Sequence, residues 1–267
     1  MGFRRHAHTI KPDSDDPDRI WRYMDFTKFV SMLESRSLYF PRADKLEDPF
    51  EGSLTAEQVG HRKDSLEGYP NEWIEELLPK FRRICTRHTF LNCWHMNDGE
   101  SAAMWDLYLK ADQGICIEST YESLIESIDD EQDIFVSKIQ YIDYESRIPP
   151  GWGADGHIGD TITPFTHKRT SYEHEQELRA IIHDLPWHSE EGEREITPDE
   201  IRSSDLDESA YEPGRSVNVD LSELIEGIHV SPESDKWIRD LLVDVCEKYE
   251  IDPDLVAQSK IGENPSF

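Results

Sequence analysis

Apolar residues recur along this chain with two periods, near two for strands and near 3.6 for helices. Residues 19–24 (RIWRYM) have the aromatic and β-branched content of a short strand. Asp25 can then cap a helix whose apolar positions repeat at helical spacing, at Phe26, Phe29, Val30 and Leu33. Residues 38–40 are predicted to form a second short strand. The opening of the domain is therefore predicted to be strand, helix, strand.

The rest of the chain continues this alternation. Residues 55–83 are predicted to be mainly helical, and further helices are predicted at 101–108, 121–128 and 238–249. Further strands are predicted at 89–95, 115–117, 134–144, 177–182, 217–219, 227–230 and near 255–261. Short strands and helices in this order indicate an α+β fold, with a mixed or split β-sheet and packed helices.

Three segments interrupt the pattern. Residues 1–17 are polar and predict a flexible arm, which leaves a single α+β domain over 18–262. Residues 146–164 are rich in proline and glycine and are interpreted either as a substrate-facing lid or as a disordered insertion. Residues 185–214 are acidic with little periodicity, and are interpreted as an insertion on the surface.

Charge narrows the classes of partner. The chain has 57 acidic and 28 basic residues, a formal net charge of −29 that is spread over its length. Such self-repulsion needs screening, so we hypothesise adaptation to a salty cytoplasm; full stability at low ionic strength would contradict this. The same charge argues against nucleic acid and against an anionic membrane as partners.

No apolar run approaches the roughly 20 residues that span a bilayer, and residues 1–16 lack a signal-peptide core. We therefore expect a cytoplasmic protein whose scattered cysteines are reduced. Cys85, His88, Cys93 and His95 are zinc-ligand types, but strand alternation separates His88 from the last two. No metal site is predicted.

The densest candidate chemistry lies in residues 168–183, KRTSYEHEQELRAIIH. If Glu177 opens a strand, the period of two directs Glu175, Glu177 and Arg179 to one face, with Lys168 upstream. Two interpretations stay open: a ligand-binding or catalytic cluster, and an ordinary ion network at a strand edge.

Other candidates lie earlier in the chain. Arg22 alternates with apolar neighbours in a central strand, where it would form an ion pair or bind a phosphate or carboxylate. Trp105 and Tyr108 share a helix face and would be core or a pocket wall. Asp48 and Phe50 lie in a turn marked by Asp-Pro and Gly.

These residues carry a resemblance when they are taken in order. The stretches IWRYMDFTKFVSMLESRSLYF, EDPFEG, CWH, MWDLYLKADQGICIE and EHEQELRAII, with Lys168 before the last, resemble the prokaryotic family catalogued as domain of unknown function number 2971. The similarity covers about residues 20–261. It implies a fold and no biochemical role.

A second resemblance is to the ADP-ribosyltransferase superfamily. Arg22 matches the early-strand Arg or His, and Glu175-Gln176-Glu177 matches the late Gln/Glu-x-Glu. The resemblance implies NAD as substrate, with Glu177, Glu175 and Arg22 as the catalytic groups. Tyr23, Trp105 or Tyr108 would stack on nicotinamide. The rest of the implied NAD site consists of Asp48, Phe50, His95, Lys168 and Arg179.

Where the superfamily has a hydroxyl on its second strand, this chain has Cys93-Trp94-His95. Two functions therefore stay open. One is ADP-ribose transfer or NAD hydrolysis with an unidentified acceptor, in a toxin or phage-defence system. The other is a non-catalytic ligand- or protein-binding module, in which Lys168, Glu175, Glu177 and Arg179 form a structural ion network.

Overall fold

Short strands and helices alternate along the chain, as the hydrophobic pattern predicts. The computed structural model describes residues 3–4, 9–65, 70–108, 113–145, 161–189, 192–193 and 196–262. Its strands are β1 (Phe3–Arg4), β2 (Arg19–Asp25), β3 (Ser37–Pro41), β4 (Thr89–Met96), β5 (Gly114–Thr120), β6 (Ile134–Lys138), β7 (Gln140–Ile142), β8 (His167–Arg169), β9 (Glu177–His183), β10 (His188–Ser189), β11 (Gly192–Glu193), β12 (Gly214–Asn218), β13 (Gly227–Val230) and β14 (Val256–Gln258). Its α-helices are α1 (Phe26–Ser35), α2 (Ala56–Ser65), α3 (Leu78–Arg87), α4 (Ala102–Tyr108), α5 (Tyr121–Glu126), α6 (Pro198–Ser203), α7 (Leu221–Leu224) and α8 (Lys236–Lys248).

Eight strands form one sheet in the order β1-β6-β9-β4-β2-β5-β13-β14. Neighbours in the interior of the sheet are antiparallel, while β1 with β6 and β13 with β14 are parallel pairs at the two edges. A separate two-stranded sheet pairs β3 with β12. The predicted α+β class with a mixed sheet is confirmed.

Local chemistry sets the element boundaries. Asp25 caps α1 as predicted, because its side chain accepts the backbone N–H of Lys28 at 2.8 Å. The strand predicted over 134–144 is two strands, because the chain changes partners at Ile139. Before it β6 pairs with β9, and after it β7 pairs with β8.

The sheet has two unlike faces. One, here called the core face, carries Ile20, Trp94 and Leu178 and packs in the main hydrophobic cluster with side chains of α1, α5, α7 and α8. The other, here called the charged face, carries the alternate residues, including Trp21, His95 and Glu177. The charged face also carries two small apolar clusters, one with Trp21 and Trp105 and one with Leu91 and Phe165.

Two segments that were predicted to lie loosely on the surface, 1–17 and 185–214, contact the body of the domain. Strand β1 pairs with β6, and the carbonyl of Ile10 accepts the N–H of Lys138 at 2.8 Å, so these parts of the predicted flexible arm follow the sheet edge. Within 185–214, Leu185, Trp187 and Ile201 are buried in a cluster with α3. The predicted lid at 146–164 lies outside the described residues up to residue 160. Each helix in the described part of the chain is too short or too polar to cross a membrane.

Candidate functional site

A chain of five buried charges occupies one end of the charged face. Lys168 Nζ lies 2.6 Å from Glu175 Oε2 and 3.0 Å from Glu177 Oε1. Arg179 Nε lies 2.6 Å from Glu177 Oε2, and its two terminal nitrogens bind the oxygens of Glu51 at 2.6 and 2.9 Å. We call these five residues the ion network. Each of them is less than a tenth exposed, so the attraction acts at low dielectric.

The backbone brings these groups together in a short space. A 3-10 helix over Thr170–Glu175 ends at Gln176, which adopts a left-handed φ of 38° and turns the chain into β9. Strand alternation then places Glu177 and Arg179 on the charged face, as predicted. Glu51 reaches Arg179 from the turn before Gly52. Gly52 has φ 70°, and a Cβ there would lie 2.5 Å from the Phe165 ring, so only glycine fits.

The carboxyl groups of the ion network differ in proton affinity. Burial and a hydrogen bond with Glu177 raise the pKa of Glu175 to about 7. Burial alone would also raise the pKa of Glu177, but the charge of Arg179, the hydrogen bond with Glu175 and Lys168 lower it to about 2. Burial raises the pKa of Glu51 despite Arg179. Glu175 is therefore the member of the pair that takes up a proton near neutral pH.

Arg22 does not join this site. It pairs with Ile117 on the core face, opposite the face that carries Glu177. Its guanidinium donates to Asn92 Oδ1 at 2.7 Å and to the Cys93 carbonyl at 3.0 Å, and lies over the Trp94 ring. It thus connects β2 to β4 where their ladder ends. The predicted convergence of Arg22 and Glu177 on one ligand is wrong, because the period of two directs them to opposite faces.

Two of the aromatic residues predicted to contact nicotinamide, Tyr23 and Trp105, are packed in a buried apolar cluster. Tyr23 and Trp105 are buried edge to face, with ring centroids 5.0 Å apart, in a small cluster with Met104. The Tyr23 hydroxyl accepts the Ser101 N–H at 2.9 Å, and burial raises the pKa of this phenol. This arrangement matches the core alternative. The side chain of Tyr108 lies outside the described residues.

His95 lies beside the ion network with a fixed tautomer. Its Nδ1 donates to the Glu175 carbonyl at 2.7 Å, and its Nε2 is buried without a hydrogen-bond partner among the described residues. Burial lowers the pKa of His95, so the ring is neutral at neutral pH. Nε2 is therefore an acceptor.

Asp48 and Phe50 lie around Arg169 instead. Asp48 Oδ1 accepts Arg169 at 2.6 Å and the Phe50 N–H at 3.0 Å. The guanidinium of Arg169 lies 4.3 Å from the centre of the Phe50 ring, which is 41% exposed. This is a cation–π contact at the surface. The turn predicted at 48–52 therefore holds two of the predicted residues close to Glu51.

A cavity of about 680 Å³ opens over Glu51, between the 43–59 segment and α3. Its volume falls in the usual range for small-molecule sites, about 300–1,000 Å³. Apolar side chains line part of it, including Leu46, Leu54, Val59 and Leu78, and Arg82, Arg83 and Arg87 line its α3 side. Of the predicted site residues, Asp48 lies in its lining.

The acids that line the cavity are already paired with arginines outside the lining. Glu51 binds Arg179 and Asp48 binds Arg169. Asp44 Oδ1 lies 2.6 Å from Arg42 Nε. Arg87 Nε also lies 3.9 Å from Asp44 Oδ2. Among the described residues, Arg83 is an exposed cation of the lining that forms no ion pair with an acid.

Sequence reasoning missed the α3 arginines and assigned no chemistry to residues 55–83. A signal was present: RRICTR puts three arginines within six residues of an otherwise acidic chain, and Arg83 and Arg87 share a helix face. The sequence carries no signal for the role of Glu51, because its partner Arg179 lies 128 positions away.

Among the described residues, no three or more His, Cys, Asp or Glu side chains are placed to hold a metal ion. Comparisons with protein-family models, curated proteins and solved structures found no match to this chain. The two family resemblances therefore stay predictions. The class that the fold and site define is an α+β protein with a buried ion network beneath a cavity that arginines line on one side.

Proposed function

We propose that this protein is a ligand-binding module that takes a small organic anion into the cavity over Glu51. The ion network is then the fixed structural floor of the site. One observation carries the proposal: both oxygens of Glu177 are held by Lys168 and Arg179, while the cavity next to them has the exposed Arg83 in its lining, which forms no ion pair with an acid among the described residues.

Charge and lining support an anion with an apolar body. Arginine presents a planar fork of donors that suits phosphate and carboxylate groups. Leu46, Leu54 and Val59 offer apolar surface to the rest of the ligand. A nucleotide-sized molecule with a diphosphate has both features, and NAD is a member of this class.

The ion network can support the base of the cavity, but its carboxylates are not placed to bind a ribose. A carboxylate that stabilises a ribosyl cation needs an oxygen free to face it. The Glu177 oxygens already face two cations, and their burial makes the pairs costly to open.

ADP-ribose transfer from NAD is a second candidate, and one observation favours it. Glu175 has a pKa of about 7, so this carboxyl group is able to take up and release a proton at neutral pH. In the transferase candidate, Glu175 is the carboxyl group that exchanges the proton, and Glu177 keeps Glu175 in place.

Calorimetric titration with ADP tests the first candidate. Arg83→Gln removes one charge from the cavity and is expected to weaken ADP binding about tenfold, the usual effect of losing one charged hydrogen bond. The matched control is Arg36→Gln, which changes an exposed arginine next to Glu250, outside the cavity lining. Unchanged binding in Arg83→Gln, or no ADP binding by the native protein, would overturn the proposal.

Incubation with NAD tests the second candidate. Nicotinamide release that is lost in Glu175→Gln, with ADP binding retained, would replace the binding module by an enzyme. If the native protein releases no nicotinamide, the transferase candidate is excluded.

A further inference from the structure

The ion network connects the cavity over Glu51 to a carboxyl group that is not part of the cavity lining. Glu51 lies in the lining, and contacts of 2.6 to 3.0 Å link it through Arg179, Glu177 and Lys168, in that order, to Glu175. A charge that enters the cavity therefore acts on the whole series of buried charges, including a group that the ligand does not touch.

The ion network has one carboxyl group more than its cations neutralise. Lys168 and Arg179 are its two cations, and Glu51, Glu175 and Glu177 are its three carboxyl groups, so its net charge is −1 when all five are ionised. All five are buried. An anion in the cavity adds to this buried negative charge. The ion network becomes neutral when one of its carboxyl groups takes up a proton.

The contacts identify Glu175 as the group that takes up this proton. Both oxygens of Glu177 face cations, and both oxygens of Glu51 bind Arg179. Among the described residues, Glu175 has an ion pair with Lys168 alone, through Oε2. Protonation at Glu175 therefore disturbs the fewest ion pairs. In agreement with this, burial and a hydrogen bond with Glu177 raise the pKa of Glu175 to about 7.

The other titratable groups near Glu175 keep their protonation state around neutral pH. Burial lowers the pKa of His95 and raises that of Tyr141, so both are neutral. Burial opposes the charge of Lys168, but Glu177 raises the pKa of Lys168 above its ordinary value. The groups that face Glu175 from β8, β9, β4 and β7 are, in this order, Lys168, Glu177, His95 and Tyr141. The 3-10 helix that carries Glu175 adds Tyr172, Glu173 and His174, which are partly or fully exposed.

Coulomb's law gives the size of the expected effect. At an effective dielectric constant of about 20, a unit charge about 12 Å away changes a protonation equilibrium about tenfold. Four successive contacts join Glu51 to Glu175, so an anion beside Glu51 acts over a distance of this order. By linkage, the proton on Glu175 strengthens anion binding by the same factor.

We propose that binding of the organic anion in the cavity over Glu51 is coupled to the uptake of a proton by Glu175. This coupling rests on the proposed function, because it needs an anion in that cavity. The anion contacts the exposed Arg83, and its charge acts on Glu175 through the buried ion network. Protonated Glu175 favours the bound anion, so affinity is highest at low pH and falls as Glu175 ionises.

Nuclear magnetic resonance titration of protein labelled with ¹³C at the glutamate carboxyl carbons tests the coupling in the native protein. One carboxyl group of the free protein is expected to titrate near pH 7. Saturating ADP should raise that midpoint by about one pH unit. If ADP binds and the midpoint does not move, or if no carboxyl group titrates near pH 7, the coupling is wrong and the proposed function stands. If ADP does not bind the native protein, both are wrong.

Two variants assign the titrating signal. Glu175→Gln should lack it, while Glu173→Gln, which removes an exposed carboxylate of the same 3-10 helix, should keep it. Persistence of the signal in folded Glu175→Gln would contradict the assignment. The comparison of free and ADP-bound native protein uses neither variant, so it still decides the coupling if Glu175→Gln misfolds.

The affinity for ADP gives a second readout. Between pH 6 and pH 9 the native protein should lose up to about tenfold more affinity than Glu175→Gln, and the titration of ADP itself cancels in this comparison. An equal change of affinity in the two proteins would contradict the coupling.

Discussion

The two ends of the charged face use charged groups in different ways. In the ion network, the side chains of Lys168, Glu177 and Arg179 are held by each other within 3.0 Å and lie out of solvent. At the other end, His229 Nδ1 is buried without a hydrogen-bond partner among the described residues. Paired charges fix the fold, whereas a buried polar atom without a hydrogen-bond partner holds its part of the sheet less firmly.

The largest difference between the two ends is expected in stability. Arg179→Met leaves Glu51 and Glu177 buried without their shared cation, and should lower the free energy of unfolding by roughly 3–5 kcal/mol. Urea unfolding in concentrated KCl measures this. A loss below about 1 kcal/mol would show that the ion network contributes little to the fold.

The second effect is on pH dependence. The folded-state pKa of Glu175, about 7, lies above its ordinary value of 4.5, so the native state binds this proton more tightly than the unfolded chain. Its stabilisation is fully present below about pH 4.5 and is lost as the pH rises through 7. Urea unfolding at several pH values between 4.5 and 8 should therefore show a smaller loss of stability in Glu175→Gln than in the native protein.

The exposed Glu131→Gln serves as the control for that experiment and should keep the native slope. If Glu175→Gln also keeps the native slope, Glu175 is ionised throughout this range and is not the proton acceptor of the pair.

The smallest effect is expected at His229, at the other end of the charged face. His229→Gln should change the free energy of unfolding by less than about 1 kcal/mol, because the glutamine amide can still donate to Glu118. Thermal and urea unfolding check this. A loss as large as that of Arg179→Met would mean that the His229–Glu118 pair holds the fold as firmly as the ion network does, and the two ends would not differ.

Much of the fold could be predicted from the sequence, because short-range pattern decides it. The 3.6 period marks α1 and α8, and Asp25 marks the start of α1. Alternation also predicts that Glu177 and Arg179 share a face. The change of partner at Ile139 had no local signal, since it depends on where β8 and β9 lie in space.

The site was harder to predict because its contacts are distant in sequence. The same rule of alternation that places Glu177 gives no relation between β9 and β2, so it could not show that Arg22 lies on the other face. Whether Asp48 and Glu51 are available to a ligand depends on Arg169 and Arg179, more than a hundred positions away.

One titration tests most directly whether the anion site is the cavity over Glu51. ADP is titrated into Arg83→Gln and Arg22→Gln, two arginines that lie, respectively, in the cavity lining and on the core face. The proposal predicts that Arg83→Gln weakens binding about tenfold while folded Arg22→Gln keeps native affinity. Native affinity in Arg83→Gln and loss in Arg22→Gln would contradict it and point back to a site at Arg22.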